Sequence, residues 1–150
     1  MSLKERLTED MKQAMKDREA GKLRLSVIRM VRANIKNVEI DSKQELSEDE
    51  VLDVLAKEVK MRRDSLEEFK KGNRPDLVDA LEQEIVILMN YLPEQLSETE
   101  VRTLVEGAVA ETHATSPKEM GKVMAVLMPK VKGRADGKLI STIVREMLNQ

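Results

Sequence analysis

Apolar residues recur every three to four positions along almost the whole chain, in blocks separated by glycine, proline or short polar stretches. Leu3, Leu7, Met11, Ala14 and Met15 keep helical spacing and predict an amphipathic helix from residue 2 to about residue 19. Gly21 breaks the pattern. A second helix is predicted from about Lys22 to Ile40, with Leu23, Val27, Met30, Val31, Ile35 and Val38 in one broad arc. After a polar connection over residues 41–46, Ser47-Glu48-Asp49-Glu50 reads as a capping box: the Ser47 hydroxyl accepts from a helix-start N–H and the Glu50 carboxylate reaches back. The helix it opens carries Val51, Leu52, Leu55, Val59, Leu66 and Phe69 and stops at Gly72. Pro75 suits a first helical turn, and a fourth helix follows with Leu77, Val78, Leu81, Ile85, Leu88, Met89 and Leu92. It ends before Pro93, because the residue preceding a proline avoids the α region.

Residues 93–96 form the best candidate for a domain boundary. Ser97 and Glu100 make a second capping box, and Val101, Leu104, Val105 and Val109 give the fifth helix its apolar face. Residues 112–115 read as a loop. Ser116-Pro117-Lys118-Glu119 then starts a helix in which Met120, Val123, Met124 and Leu127 face one way, and Pro129 is expected to stop it. A turn from Gly133 to Gly137 follows, with Asp136 placed to cap a last helix carrying Leu139, Ile140, Ile143, Val144 and Met147. Its glycines are expected to serve backbone freedom and close helix approach. Short links between long helices imply antiparallel neighbours. The expected fold is therefore all-α: an N-terminal bundle of long antiparallel helices over residues 1–92, then a three-helix tail domain over 95–150. So small a tail core is marginal alone and is expected to lean on the first half or on a partner.

The chain has 150 residues, 41% apolar and 36% charged, a globular and charge-rich composition. Phe69 and Tyr91 are the only aromatics, so ten methionines join Leu, Val and Ile in filling the interior. A net charge of -2 excludes a generally basic nucleic-acid coat, and any such binding has to come from local patches. With no cysteine there are no disulfides, thiolate metal sites or thiol nucleophiles, which agrees with a cytoplasmic location. The charged start, Met1-Ser2-Leu3-Lys4-Glu5-Arg6, lacks a signal-peptide core, and no apolar run approaches bilayer-spanning length. A soluble protein without a membrane partner is expected.

Two patches are basic. From Lys118 to the end, Lys118, Lys122, Lys130, Lys132, Arg134, Lys138 and Arg145 outnumber Glu119, Asp136 and Glu146 by four. Lys122, Lys130, Lys132, Arg134 and Lys138 are candidate contacts for a polyanion. The other patch is the stripe of Arg29, Arg32 and Lys36 opposite the apolar arc of the second helix. It reads either as a phosphate-contacting face or as a solvated face paired with acids such as Asp49, Glu50 and Asp53. His113 is the only histidine and reads as a solvated loop residue, since a metal site or nucleophilic triad needs further members. The Gly133–Lys138 segment is not a P-loop: three residues separate its glycines, Leu139 follows the lysine, and a helix precedes it. Acidic pairs such as Glu67-Glu68 read as solvated faces. No catalytic residue, metal site or cofactor is expected.

The segments Leu25-Ser26-Val27-Ile28-Arg29, residues 33–40, Glu58-Val59-Lys60-Met61-Arg62-Arg63-Asp64-Ser65, Asn73-Arg74-Pro75-Asp76-Leu77, Tyr91-Leu92-Pro93-Glu94-Gln95-Leu96 and residues 121–138 resemble, in order, the bacterial YqeY family. That family is similar to the C-terminal part of the B subunit of the tRNA-dependent amidotransferase that forms Gln-tRNA or Asn-tRNA. The resemblance implies an all-α fold with a tail that grips tRNA, the amidation chemistry belonging to a separate domain with no counterpart here. The shared patterns fall on Gly121-Lys122-Val123-Met124 and on residues 132–137. The expectation is a tRNA-associated adaptor. The alternatives are a protein-interaction module and, further off, a component of a carbon–nitrogen ligase acting with other subunits.

Overall fold

The computed structural model describes residues 1–149, and every regular element among them is helical. Helices α1 (Leu3–Lys16) and α2 (Lys22–Ser42) are joined by a 3-10 turn over Arg18–Gly21. Next come α3 (Glu48–Lys71), α4 (Pro75–Met89) and α5 (Glu98–Thr112). A 3-10 turn at Pro117–Glu119 leads into α6 (Met120–Val131), and α7 is Gly137–Leu148. The chain divides into two compact units, Met1–Leu92 and Pro93–Gln150.

In the first unit, α1 starts with a capping box that the sequence reading passed over. The Ser2 hydroxyl accepts from the Glu5 N–H at 3.1 Å and the Glu5 carboxylate accepts from the Ser2 N–H at 3.0 Å. The chain then doubles back at Gly21 so closely that a Cβ there would lie 2.2 Å from the Ala14 carbonyl oxygen. Only glycine permits that approach. Helix α1 packs on α2 and α3, α2 also meets α3 and α4, and α3 lies along α4. Leu7, Val27, Ile28, Val31, Val51, Leu55, Val59, Leu88 and Tyr91 fill the space between them.

The buried face of α2 is narrower than the predicted arc and rotated from it. Val27, Ile28, Val31 and Ile35 are buried, whereas Leu23, Met30 and Val38 are exposed. Over 21 residues the broad arc holds more apolar side chains than one contact face covers, and the tight stripe through Ile28 packs. Helix α4 also ends earlier than predicted, at Met89. The N–H groups of Tyr91 and Leu92 turn back to Leu88 and Met89 at 3.0 and 3.2 Å, closing a tight turn before Pro93.

In the second unit α5 packs on α6 and α7, and α6 on α7, around Val101, Val105, Val123, Leu127, Ile140 and Ile143. Pro129 does not stop α6, which runs to Val131. Proline removes one N–H bond, and the carbonyl it would have met belongs to Ala125, an exposed residue on the solvent side of the helix. The Lys132 N–H still reaches the Met128 carbonyl at 2.9 Å. Gly133 then takes a φ of 71°, the left-handed conformation that glycine adopts without strain. Gly137 has open space where a Cβ would lie, so close helix approach is not its role.

Candidate nucleic-acid interface

The α6–α7 turn is braced by the segment that precedes α5. The Leu96 N–H donates to the Arg134 carbonyl at 2.8 Å, and the Gln95 amide donates to the Gly133 carbonyl, also at 2.8 Å. Arg134 returns one bond from Nε to the Glu94 carbonyl at 3.3 Å. This strap fixes the backbone between Lys132 and Lys138. Asp136 then caps α7 by accepting from the Lys138 N–H at 3.2 Å.

The predicted tail cations divide by place. Lys130, Lys132, Arg134 and Lys138 follow one another around the turn, while Lys122 stands about 12 Å back along α6 from Lys130, eight residues at 1.5 Å each. Lys122 lies 3.8 Å from Glu119, and Lys130 lies 3.8 Å from Glu111. Both lysines are largely exposed, and such long surface pairs give way readily to a polyanion. Lys132 and Arg134 are half-buried, and Lys138 is exposed. Glu119 is held below the usual carboxylate range, chiefly by the Thr115 N–H and then by the Ser116 N–H, and so remains a fixed negative charge beside Lys122.

The other three predicted cations meet at a cleft. Arg29, Arg32 and Lys36 stand along one wall, on α2, and Lys4 of α1 stands on the other, around a space of about 430 Å³ floored by Leu7 and Ile35. Glu39 is the carboxylate lining it among the described residues, supplied by the same helix rather than by α3. It accepts from the Lys4 ammonium and from the Leu46 N–H at 2.8 Å. Lys4 first, and then the Leu46 N–H, hold its pKa below the ordinary value. The Arg32 guanidinium rests on the Met11 sulfur. Sequence reading missed Lys4 because the polar face of α1 mixes both signs and nothing in the periodicity says which of them turns towards α2.

It also missed a buried polar cluster. Glu58 and Arg62 are only 5% and 7% exposed. Arg62 Nη1 donates to Glu58 at 2.6 Å, Nε to Glu84 at 3.4 Å and Nη2 to the Met30 sulfur at 3.1 Å. Asn34 donates to the other Glu58 oxygen at 2.5 Å. These contacts tie α2, α3 and α4 together. A signal was present: the apolar stripe of α3 skips from Val59 to Leu66, and Glu58 and Arg62 sit on the buried side of that gap.

A second polar knot lies at Tyr91. Its hydroxyl donates to Asp10 at 2.5 Å, Arg24 pairs with Asp10 at 3.2 Å, and the Arg6 guanidinium stacks 5.0 Å from the ring centre. His113 is exposed and closes α5 in the left-handed conformation, at a φ of 56°. No described helix is long and apolar enough to cross a membrane.

Residues 4–148 match the model of the family described as Yqey-like protein. Two relatives are named Altered inheritance of mitochondria protein 41, mitochondrial. The one from Lachancea thermotolerans is 39% identical over 114 residues, which is 74% of this chain and 60% of that protein. The one from Pyrenophora tritici-repentis is 30% identical over 146 residues, 95% of this chain and 79% of that protein. A subunit of the Glutamyl-tRNA(Gln) amidotransferase of Thermococcus gammatolerans is 39% identical over 59 residues, 37% of this chain and 9% of that protein. The cytoplasmic location expected above is corrected by the first two, whose names place them in mitochondria. Freedom from cysteine is compatible with many compartments and was no guide to location.

Proposed function

The chain belongs to the YqeY-like protein family, and from that premise we propose that it is a tRNA-associated adaptor. In this reading a bundle of antiparallel helices carries a three-helix tail, and the turn between α6 and α7 meets the RNA backbone. The observation that carries it is the strapped turn. Lys130, Lys132, Arg134 and Lys138 stand on a backbone held by the Leu96, Gln95 and Arg134 hydrogen bonds, so a bound polyanion has little ordering left to impose. The similarity of 59 residues to part of a tRNA-dependent amidotransferase supports the same substrate class. The mitochondrial names of the relatives point to an organellar setting. With no Phe, Tyr or Trp in the second unit, the tail meets a phosphate backbone rather than a stack of bases.

The test is a gel shift of tRNA with the full chain and with a variant carrying K122E, K130E, K132E, R134E and K138E. Retention by the parent and loss in the variant, with helical circular dichroism unchanged in both, supports the reading. Equal retention by both removes the tail as the binding surface.

A further inference from the structure

The cleft between α1 and α2 is a second anion site, and we propose that it holds the sugar–phosphate backbone of one RNA strand. The proposal rests on the tRNA reading and adds to it a surface on the first unit. Its strongest support is charge balance within a concave site: among the described residues Lys4, Arg29, Arg32 and Lys36 line it against the carboxylate of Glu39.

The α2 cations are three and four residues apart, so they share one face and rise about 4.5 and 6 Å in turn, some 10 Å in all. A row with that spacing suits successive phosphates of a strand. Arg32 leans on the Met11 sulfur, which steadies the guanidinium without cancelling its charge. The floor of Leu7 and Ile35 is apolar, and low-dielectric walls strengthen the field of the cations above it.

Glu39 gives the cleft a direction. Its carboxylate is fixed at the Lys36 end by Lys4 and the Leu46 N–H, and it stays ionised because both lower its pKa. A phosphate is repelled there and drawn towards Arg29 and Arg32. No aromatic lines the space, so the contact is to backbone and not to stacked bases.

The experiment measures fluorescence anisotropy of labelled tRNA with the full chain across a series of salt concentrations. The parent is compared with R29Q/R32Q/K36Q, which removes charge at three exposed positions. Each lost phosphate contact lowers the slope of log affinity against log salt by about one, so the variant should lose two to three units of slope and at least tenfold in affinity. If the triple variant loses helicity, R29Q and R32Q taken singly should each lose about one unit. Affinity and slope within twofold of the parent overturn the cleft; if the five-site tail variant still loses tRNA, the tRNA reading stands without it. A parent that does not bind tRNA overturns both. A parallel titration with inorganic triphosphate separates a free anion from a polymer. Displacement of tRNA only at concentrations that act through ionic strength supports the backbone, and saturable displacement at low concentration overturns it in favour of a small-anion pocket.

Discussion

Arg62 offers the sharpest test of how the first unit is held together. It is 7% exposed and serves Glu58, Glu84 and the Met30 sulfur at once, with Nη1 also donating to the Glu58 carbonyl at 3.1 Å. Arg62→Ala strands the Glu58 carboxylate, itself 5% exposed, with Asn34 as its remaining partner. Removing one member of a buried ion pair costs about 3–5 kcal/mol, because the other charge stays buried without compensation. With a urea m-value of about 1 kcal/mol/M for a unit of this size, the midpoint should fall by about 3–5 M or the unit should unfold outright. Replacing both charges, as in E58L/R62M, removes the desolvation problem along with the attraction and should recover most of that loss. The readout is urea unfolding followed by Tyr91 fluorescence, since the only tyrosine is 5% exposed in the core of the same unit. A loss below about 1 kcal/mol in Arg62→Ala, or a double variant as unstable as the single, would mean that the Glu58–Arg62 pair does not hold the unit together.

Tyr91 should resist ionisation. Burial first, and then the hydrogen bond to Asp10, raise its pKa above the ordinary 10.0. The stability it contributes is complete below that value and is lost as pH rises through the folded pKa. Tyrosinate absorbance should therefore appear only well above pH 10 or together with unfolding, and a clean titration near pH 10 would contradict the Asp10 contact. Glu39 behaves in the opposite sense: its pKa is lowered by Lys4 and by the Leu46 N–H, so its contribution is present above the ordinary carboxylate value of 4.5 and is lost as pH falls through the folded pKa. Glu39→Gln should flatten the acid side of the stability profile, and an unchanged profile would count against the contact. Gly21→Ala should destabilise strongly, because its Cβ would meet the Ala14 carbonyl, while Gly107→Ala, with open space at an exposed position within α5, should stabilise by about 0.5–1 kcal/mol. Urea midpoints moving the other way would reverse that assignment.

Helix identity was largely legible because start signals and periodicity agreed. The box at Ser47 opens α3 and the one at Ser97 opens α5, each with the Ser hydroxyl accepting from the N–H of the third helical residue at 3.2 Å. What failed was rotation and termination. The apolar excess of α2 left its packed face undetermined until neighbours selected Ile28 over Leu23 and Met30. Pro129 looked like a stop because proline removes an N–H bond and crowds the preceding turn, yet α6 runs on to Val131 and the Lys132 N–H still closes on the Met128 carbonyl. At the candidate sites, the tail cluster could be read from adjacency along the chain. The cleft could not, since Lys4 reaches it only when α1 folds back at Gly21. Glu58 and Arg62 went unnoticed because charged residues on a charge-rich helix read as solvated, and only the gap in the apolar stripe argued otherwise.

RNA binding by the tail is measured most directly by crosslinking in living cells followed by sequencing of the RNA retained on the full chain, with the five-site tail variant alongside. Enrichment of tRNA on the parent, falling to background when Lys122, Lys130, Lys132, Arg134 and Lys138 are reversed to glutamate, is the predicted result. Recovery of no RNA above background, or the same tRNA set on both proteins, would contradict it.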